Sequence, residues 1–410
     1  MERHDHCHTI LSLPTTRHSL HLDVHLLPLD ILHSLTFHIF GACHGGLEAD
    51  ITLAPNTHLT FFHVAPGLFF TFVLVNGAMQ AALDSHLQTS VVTVAAVFGP
   101  RALQAVMSGQ AAVATVVSAV QALNTSLFLW KARPEADASG AVDGSAEEGS
   151  ARMFFALCTF FLLISATAHN TLVAQSNYKE LAAPLEQASV RERERLAEQQ
   201  PPASFLRRDY ITQKAHILRV VKANTTFDIA VAYVFIVTMA VFPAITTSVM
   251  PTNPNTHPLL FNSIHFLVLN TGDFLGRYIC ALPSLLIWSA NRLLALSLAR
   301  SLFIPLFLMC NVQRTSSSGL PLPAPAPIIS SDILFMLIVF ALGLSNGYIS
   351  SLCMMAAPSL VHNPRLKGRK EDVDVAATVA NFCIAAGLVI GSVASFAVRG
   401  VMCGCNPFIS

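Results

Sequence analysis

The sequence predicts an all-α fold, a polytopic bundle of membrane-spanning helices. Of the 410 residues, 53% are hydrophobic and 12% are charged, and the mean hydropathy is +0.56. Soluble domains carry roughly 25% charged residues. The apolar residues are also gathered into runs that exceed the roughly 20 residues needed to cross a bilayer. Both observations indicate a chain that folds within a membrane.

Charge and cysteine content narrow the function classes further. The formal net charge is zero, so the sequence offers no case for nucleic acid as a partner. The nine cysteines are spread along the chain, and several lie inside apolar runs. This pattern is typical of small apolar packing residues and not of a disulfide framework.

Residues 1–60 are predicted to form an irregular, His-rich N-terminal segment. Eleven of the 17 histidines lie within the first 63 residues, and Cys7 stands between His6 and His8. Imidazole and thiolate bind borderline metals, but ordinary tails are also His-rich, so no metal site is assigned. No charged region followed by a clean apolar core and a cleavage site is present, and no signal peptide is expected.

Residues 61–176 are predicted to form an N-terminal helix bundle of three spans. The first is one long helix with a polar patch that includes Asp84 and Gln88, and Gly99-Pro100 marks its end. The second carries small residues at helical spacing between Ser108 and Ala122, which lets helices pack closely in lipid. The predicted spans are Phe61–Phe98, Ala102–Leu127 and Met153–Val173.

Residues 177–224 are predicted to form a polar, cytoplasmic connector between two bundles. This segment holds the charge run RERER at Arg191–Arg195 and the pair Pro201-Pro202. Such a composition is typical of a solvated linker without its own core. A regulatory helix is the alternative that the charge run leaves open.

Residues 225–410 are predicted to form a C-terminal bundle of five helices. The loop Pro251–Pro258 has no Lys or Arg, whereas Arg365–Lys370 is strongly basic. With the connector in the cytoplasm, every later loop falls on the side that its Lys and Arg content requires, and the C-terminus lies outside or in a lumen. The predicted spans are Thr226–Val249, Leu259–Trp288, Leu293–Asn311, Ser331–Leu360 and Val375–Met402.

The fifth span of the eight, Leu259–Trp288, carries opposite charges near its middle. Asp273 and Arg277 are one helical turn apart, and Asn270 lies on the same face. A charged residue at a helix centre costs about 2.5 to 3.5 kcal/mol on insertion scales, so such residues usually line an enclosed, partly aqueous path. The alternative is a pair that only neutralises itself or joins two helices.

Two sets of small residues predict close helix contacts in the last spans. Gly343 and Gly347 are four residues apart, and a second stripe runs through Gly387 and Gly391. Asn346 lies beside Gly347. It is expected either to face a transported solute or to form a hydrogen bond between helices.

The sequence contains no pattern of a catalytic site. GxxxxGK and HExxH are missing, and the GxSxG match at Gly343–Gly347 lies inside an apolar run and follows no predicted strand, so neither an enzyme nor an ATP-driven pump is expected, and no cofactor is assigned. Polar helices on both sides of a connector favour a secondary transporter with its site between two bundles. Proton coupling stays open, since Asp84, Asp228 and Asp374 can each titrate or simply face water.

Five short motifs occur in the order found in the equilibrative nucleoside transporters, and the chain resembles that family over about residues 62–402. The DFLGR helix and the SNGY segment are the most specific of them. The motifs are MSGQ at 107–110, FPA at 242–244, DFLGR at 273–277, SNGY at 345–348 and SLC at 351–353.

The resemblance implies eleven spans, arranged as six plus five in a major-facilitator-like, two-bundle architecture with a cytoplasmic N-terminus. The sequence shows about eight clear spans. The missing three correspond to the first helices of the family, so the chain is expected to be a truncated or misassembled version whose N-terminal bundle is incomplete, and a diverged N-terminus is the alternative.

The resemblance also implies a function and residue roles. Asp273 and Arg277 look like the pair that hydrogen-bonds ribose hydroxyls, and Gln88 looks like the glutamine that reads the nucleobase. Further site or helix-packing candidates are Ser108, Gly109, Gln110, Asn270 and Asn346. The implied function is transport of nucleosides or nucleobases, by facilitated diffusion or by proton-coupled alternating access, across a plasma or vacuolar/lysosomal-type membrane. The alternatives are a carrier of another small polar solute and a truncated protein that does not transport.

Overall fold

The computed structural model describes residues 66–132, parts of 160–176, and residues 203–253, 256–312 and 327–403. Regular structure in these residues is helical, apart from isolated bridges such as Val249–Val312. The predicted segment 1–60 and much of the predicted span Met153–Val173 lie outside the described residues. The α-helices are α1 Pro66–Phe98, α2 Pro100–Ala132, α3 Ala203–Val241, α4 Pro258–Ile279, α5 Ala290–Ala299, α6 Phe303–Leu308, α7 Asp332–Ala356 and α8 Val373–Cys403.

Five helical stretches of the described residues are long and apolar enough to cross a membrane. The predicted fold class, a polytopic helical bundle, is therefore confirmed, whereas the predicted count of eight spans is not. Helix α4 has 22 residues, and polar side chains such as Asp273 and Arg277 lower its hydropathy. The five stretches are Pro100–Leu127, Gln213–Ser248, Ala290–Leu308, Asp332–Ala356 and Lys370–Gly400.

The predicted break between the first two spans is confirmed. Helix α1 runs through Asp84 and Gln88 without interruption and ends at Phe98. Gly99 adopts a φ of +103°, a conformation that a residue with a side chain rarely tolerates. Pro100 then begins α2, where its missing N–H costs nothing because the first turn has no partner for it.

Helix α3 is longer than the predicted span Thr226–Val249. It begins at Ala203, inside the predicted connector, and continues for 39 residues to Val241. No glycine or proline occurs between Ala203 and Val241, so nothing interrupts the helix where the polar residues give way to apolar ones. The end of the connector and the first span of the C-terminal bundle are therefore one helix.

The prediction of one helix over Leu259–Trp288 is wrong. Helix α4 ends at Ile279, Pro283–Leu285 form a 3-10 turn, and residues 286–289 have no regular secondary structure. Pro283 causes this ending, because proline donates no hydrogen bond and disfavours a helical residue before it. At about 1.5 Å per residue, α4 is still long enough to cross a bilayer core.

Helices α5 and α6 form one span with a tighter turn in its middle. Arg300–Leu302 form a 3-10 turn between the two helices, within the predicted span Leu293–Asn311. Pro305, the third residue of α6, has no N–H to bond the carbonyl of Ser301. The change in helix geometry therefore falls where the sequence removes a backbone donor.

Helix α4 packs between α2 and α7. It meets α7 at four glycines, two on each helix. A Cβ added at Gly272 would lie 2.5 Å from the Phe340 carbonyl oxygen, and one added at Gly347 would lie 3.0 Å from the Arg277 nitrogen. The two backbones therefore touch directly, as small residues permit in membrane bundles. The four glycines are Gly272 and Gly276 of α4 and Gly343 and Gly347 of α7.

Helices α3 and α8 form a second close contact of the same kind. A Cβ at Gly391 would lie 2.8 Å from the Ile236 carbonyl oxygen, and one at Gly387 would contact the backbone of Ala232. This confirms the prediction that these two glycines mark a helix pair. Helix α3 also packs on α7 and α5, and α1 packs on α8 and α2.

The loops meet at two opposite ends of the bundle. At one end, Asp372, before α8, accepts hydrogen bonds from His216 at 2.8 Å and Arg219 at 2.6 Å, near the start of α3. At the other end, Thr252, before α4, donates to Asp332 at the start of α7. The loop after α7 and the end of the connector therefore share one end, as the predicted loop orientation requires.

Candidate functional site

The charged pair on α4 is an ion pair enclosed by neighbouring helices. Arg277 Nε donates to Asp273 Oδ2 at 2.8 Å, across one helical turn. The side chain of Asp273 is 15% exposed and that of Arg277 is 11% exposed. These fractions show that the pair is neither turned towards lipid nor completely sealed.

Asp273 has a second partner on α7. Asn346 Nδ2 donates to Asp273 Oδ1 at 2.7 Å, beside the glycine contact of the two helices. The close approach of the backbones brings this amide within reach of the carboxylate, since Gly347 follows Asn346 directly. Of the two predicted roles for Asn346, the structure shows the hydrogen bond between helices.

A relay of polar groups continues from Asn346 to a buried arginine. Thr238 of α3 donates to Asn346 Oδ1 at 2.8 Å and accepts from Arg300 Nη2 at 2.7 Å. Arg300 is 2% exposed, and it also donates to the Leu342 carbonyl oxygen and to the hydroxyl of Ser345. The relay thus joins α3, α4, α7 and the turn between α5 and α6.

The sequence analysis did not identify Thr238 or Arg300 as site residues. Arg300 lies within the predicted span Leu293–Asn311, and an arginine inside an apolar span is a functional candidate on the same ground as Asp273 and Arg277. That signal was present in the sequence. Thr238 gives no comparable signal, since threonine is common in membrane helices and usually bonds its own backbone.

Arg277 also contacts α2. Its Nη1 atom donates to the Met107 carbonyl oxygen at 3.3 Å, and Gln104 Nε2 donates to the Arg277 carbonyl oxygen at 3.2 Å. Farther along α4, Asn270 Nδ2 donates to Ser118 Oγ at 2.6 Å. Side-chain hydrogen bonds, and not glycine contacts, therefore connect α2 with α4 at these points.

The other predicted residues occupy varied positions. Gln88 is half-buried on α1, one turn before the buried Val92, and it makes no hydrogen bond to the described residues. Ser108 is buried and accepts from Gln104 at 2.9 Å. Gly109 and Gln110 are exposed. The relay around Asp273 therefore does not include Gln88, Gly109 or Gln110.

The site keeps capacity for further hydrogen bonds. Each oxygen of Asp273 has one partner, whereas a carboxylate oxygen accepts about two hydrogen bonds. In the described part of the chain, Arg277 Nη2 has no acceptor. Two arginines and one aspartate also give the relay a formal charge of +1 when all three groups are ionised. The arrangement can therefore both donate to and accept from a polar, uncharged or electron-rich solute.

Replacing Thr238 with valine is expected to disrupt the relay. Valine keeps the shape but removes the hydroxyl, so Arg300 Nη2 and Asn346 Oδ1 each lose a partner. A buried group left unpaired costs about 1 to 3 kcal/mol, and we expect a lower thermal unfolding midpoint for the purified protein. Thr225→Val on the same helix is the control, because Thr225 is exposed and its hydroxyl bonds only the α3 backbone. Equal midpoints for the two variants would contradict the relay.

Comparison with known proteins gives a match over most of the chain. A family model described as nucleoside transporter matches residues 73–400. Equilibrative nucleoside transporter 1 of Homo sapiens is 28% identical over 198 residues, which is 47% of this chain and 40% of that protein. Equilibrative nucleoside transporter 2 of Homo sapiens is 36% identical over 41% of this chain and 34% of that protein. Equilibrative nucleoside transporter 3 of Rattus norvegicus is 30% identical over 42% and 35%.

These comparisons cover only part of each relative. The matched stretches correspond to 40%, 34% and 35% of the lengths of the three proteins, so the chain spans between about a third and two fifths of the curated relatives that it matches.

Proposed function

The chain belongs to the nucleoside transporter family, and on that premise we propose that it carries nucleosides across a membrane. The observation that supports this most is the ion pair on α4. It lies among helices long enough to span a bilayer, it is partly exposed, and it retains donors and acceptors. Intramembrane charges of this kind mark solute pathways more often than structural contacts.

The ion pair fits the two vicinal hydroxyl groups of a ribose. A hydroxyl donates to a carboxylate and accepts from a guanidinium, so two neighbouring hydroxyls can engage Asp273 and Arg277 Nη2 together. Asn346 holds the carboxylate from the opposite side and leaves its other lone pairs available. We propose that Asp273 and Arg277 bind the sugar.

Gln88 is proposed to bind the nucleobase. An amide offers both a donor and an acceptor, which suits the edge of a base that carries both. Gln88 is half-buried on α1, on the face that continues to the buried Val92 and Ala95, and its amide is free of hydrogen bonds to the described residues. Ser108, Asn270 and Asn346 are proposed as packing residues, since each already bonds a neighbouring side chain.

We propose that transport proceeds by movement of two helix groups about this site. The glycine contacts of α4 with α7 and of α3 with α8 are backbone contacts, and they support a C-terminal group that moves as one body. The contacts of α2 with α4 are side-chain hydrogen bonds, which can break and form without unfolding a helix. Rocking of one group against the other would open the site alternately to each side.

Uptake of labelled uridine into vesicles that contain the purified full chain tests the proposal. We expect saturable uptake that other nucleosides inhibit. If the ribose hydroxyls bind the ion pair, 2′,3′-dideoxyuridine should inhibit at least about tenfold more weakly than uridine, which corresponds to about 1.4 kcal/mol.

Other outcomes of this experiment would contradict the proposal. Inhibition by sugars or amines, without inhibition by nucleosides, would indicate a carrier of another polar solute. Equal inhibition by uridine and its dideoxy analogue would show that the ion pair does not bind the ribose hydroxyls. A complete lack of uptake by protein that is folded in the vesicles would indicate a nontransporting membrane protein.

A further inference from the structure

One ionisable side chain within the bundle takes no part in the proposed nucleoside site. Asp228 of α3 is 4% exposed, and neither of its carboxylate oxygens has a hydrogen-bond partner among the described residues. It lies well inside the span Gln213–Ser248. A buried carboxylate without a donor or a cation is strongly disfavoured, whereas the protonated form carries no net charge.

The groups that approach Asp228 do not neutralise a negative charge. Among the residues that the structure describes, the ionisable side chains that interact with it are two thiols, Cys353 of α7 and Cys383 of α8. Two of its neighbours along α3, Phe227 and Val231, are apolar and buried. Arg300, one of the two arginines of the relay, bonds Thr238, ten residues farther along α3. The immediate surroundings of Asp228 therefore favour the neutral acid.

Polar side chains lie between Asp228 and one end of the bundle. Asn224 lies one turn earlier on the same face of α3 and is fully buried. Its Oδ1 atom accepts from Asn363 at 2.6 Å. Asn363 and Phe227 both line a cavity of about 380 Å³, at the end where the loop after α7 meets α3. Exposed residues such as His362 and Arg365 also line this cavity, so water can reach it.

We propose that Asp228 is a proton-binding site, which water from this cavity reaches past Asn363 and Asn224 and to which that water delivers the proton. The step is a simple equilibrium in which a proton from water adds to one carboxylate oxygen, and no other bond changes. The inference deepens the proposed function and rests on it, because a bound proton would couple the nucleoside carrier to a pH gradient.

Coupling of transport to the proton gradient follows if the proton affinity of Asp228 differs between a conformation that excludes water from its side chain and one that admits water. In the structure, the side chain is enclosed by α3, α7 and α8, and this enclosure favours the protonated carboxyl. A conformation that separates these helices and admits water would allow the proton to leave, since hydration stabilises the carboxylate. The proton affinity of Asp228 would then differ between the conformations of the transport cycle, which is the condition for coupling.

The first experiment tests the proton site without reference to transport. Dicyclohexylcarbodiimide adds to protonated carboxyl groups in apolar surroundings, and mass spectrometry locates the adduct. We expect the full chain, reconstituted in vesicles, to carry an adduct on Asp228 that decreases as the pH rises. The Asp228→Asn variant should lack this adduct and keep any others. Lack of an adduct on Asp228 at every pH would overturn the proposal.

The second experiment tests coupling. An inward proton gradient is expected to raise uridine uptake by the natural protein several-fold over uptake at equal pH on both sides. Asp228→Asn, which resembles the protonated acid in shape and charge, should retain uptake at equal pH and lose the response to the gradient. Asp84→Asn is the matched control, since Asp84 is exposed on α1, and it should respond as the natural protein does.

The outcomes separate this inference from the proposed function. A gradient response that persists in Asp228→Asn would overturn the proton site while the nucleoside carrier stands. A stimulation by sodium at constant pH that requires Asp228 would replace the proton with a metal cation. Lack of uridine uptake under all conditions would contradict the nucleoside carrier, and the carbodiimide adduct would still decide whether Asp228 binds a proton.

Discussion

Arg277→Ala is expected to reduce nucleoside uptake at least about 100-fold at equal abundance in the membrane. The change removes the guanidinium that pairs with Asp273 at 2.8 Å and the contact with Met107 on α2. The guanidinium is proposed to bind a ribose hydroxyl and it also orients Asp273. Each hydrogen bond to a charged group contributes about 1.5 to 3 kcal/mol, and each 1.4 kcal/mol corresponds to a factor of about ten. Uptake of labelled uridine, normalised to protein in the vesicles, measures the loss.

Two further variants separate the role of the charge from that of the shape. Arg277→Lys keeps the charge but lacks the planar fork that bonds several acceptors at once, so we expect partial recovery of uptake. Arg292→Ala is the control, because Arg292 is exposed at the start of α5, and it should behave as the natural protein does. If Arg277→Ala transported normally, the ion pair would be a structural contact only.

Gly347→Ala is expected to destabilise the bundle by about 1 to 3 kcal/mol, the usual cost of an added group in a packed interior. The new Cβ would lie 2.9 Å from the carbonyl carbon of Asp273 and 3.0 Å from the nitrogen of Arg277. These are backbone atoms, which cannot rotate away, so α4 and α7 must move apart. The separation also draws Asn346 away from Asp273, and we expect uptake to fall together with the thermal unfolding midpoint.

The matched control is the same substitution at a glycine without neighbours. A Cβ at Gly77 of α1 would have no atom within 4 Å. Alanine there should leave stability unchanged or raise it by about 0.5 to 1 kcal/mol, since it lowers the entropy lost when a helix forms. Similar unfolding midpoints for Gly347→Ala and Gly77→Ala would contradict the close contact of α4 with α7.

The helix boundaries show which parts of the fold could be predicted from the sequence. The end of α1 was predictable because Gly99 and Pro100 each change the backbone locally. The end of α4 was also encoded locally, by Pro283, but the apolar run around it suggested a continuous span. The start of α3 was predicted wrongly for a different reason. The change from polar to apolar residues suggested a helix boundary, but no glycine or proline interrupts the helix there.

The residues of the candidate site were also only partly predictable from the sequence. The spacing of Asp273 and Arg277 predicted two charges on one face of one helix, and the structure places them in an ion pair. The third member of the relay, Asn346, was identified as a candidate without its partner. Thr238 was not identified, because its role arises from contacts with residues 62 and 108 positions away along the chain.

The sequence by itself determined that this protein folds as membrane helices, which residues share a helix face and where small residues permit close contact. These properties depend on composition and on the 3.6-residue helical repeat, which act within about one turn. Only the tertiary structure decided that α4 lies between α2 and α7, and that Asp273 meets Asn346 and, through Thr238, Arg300. Such contacts join residues far apart in the chain, and the packing of whole helices selects them.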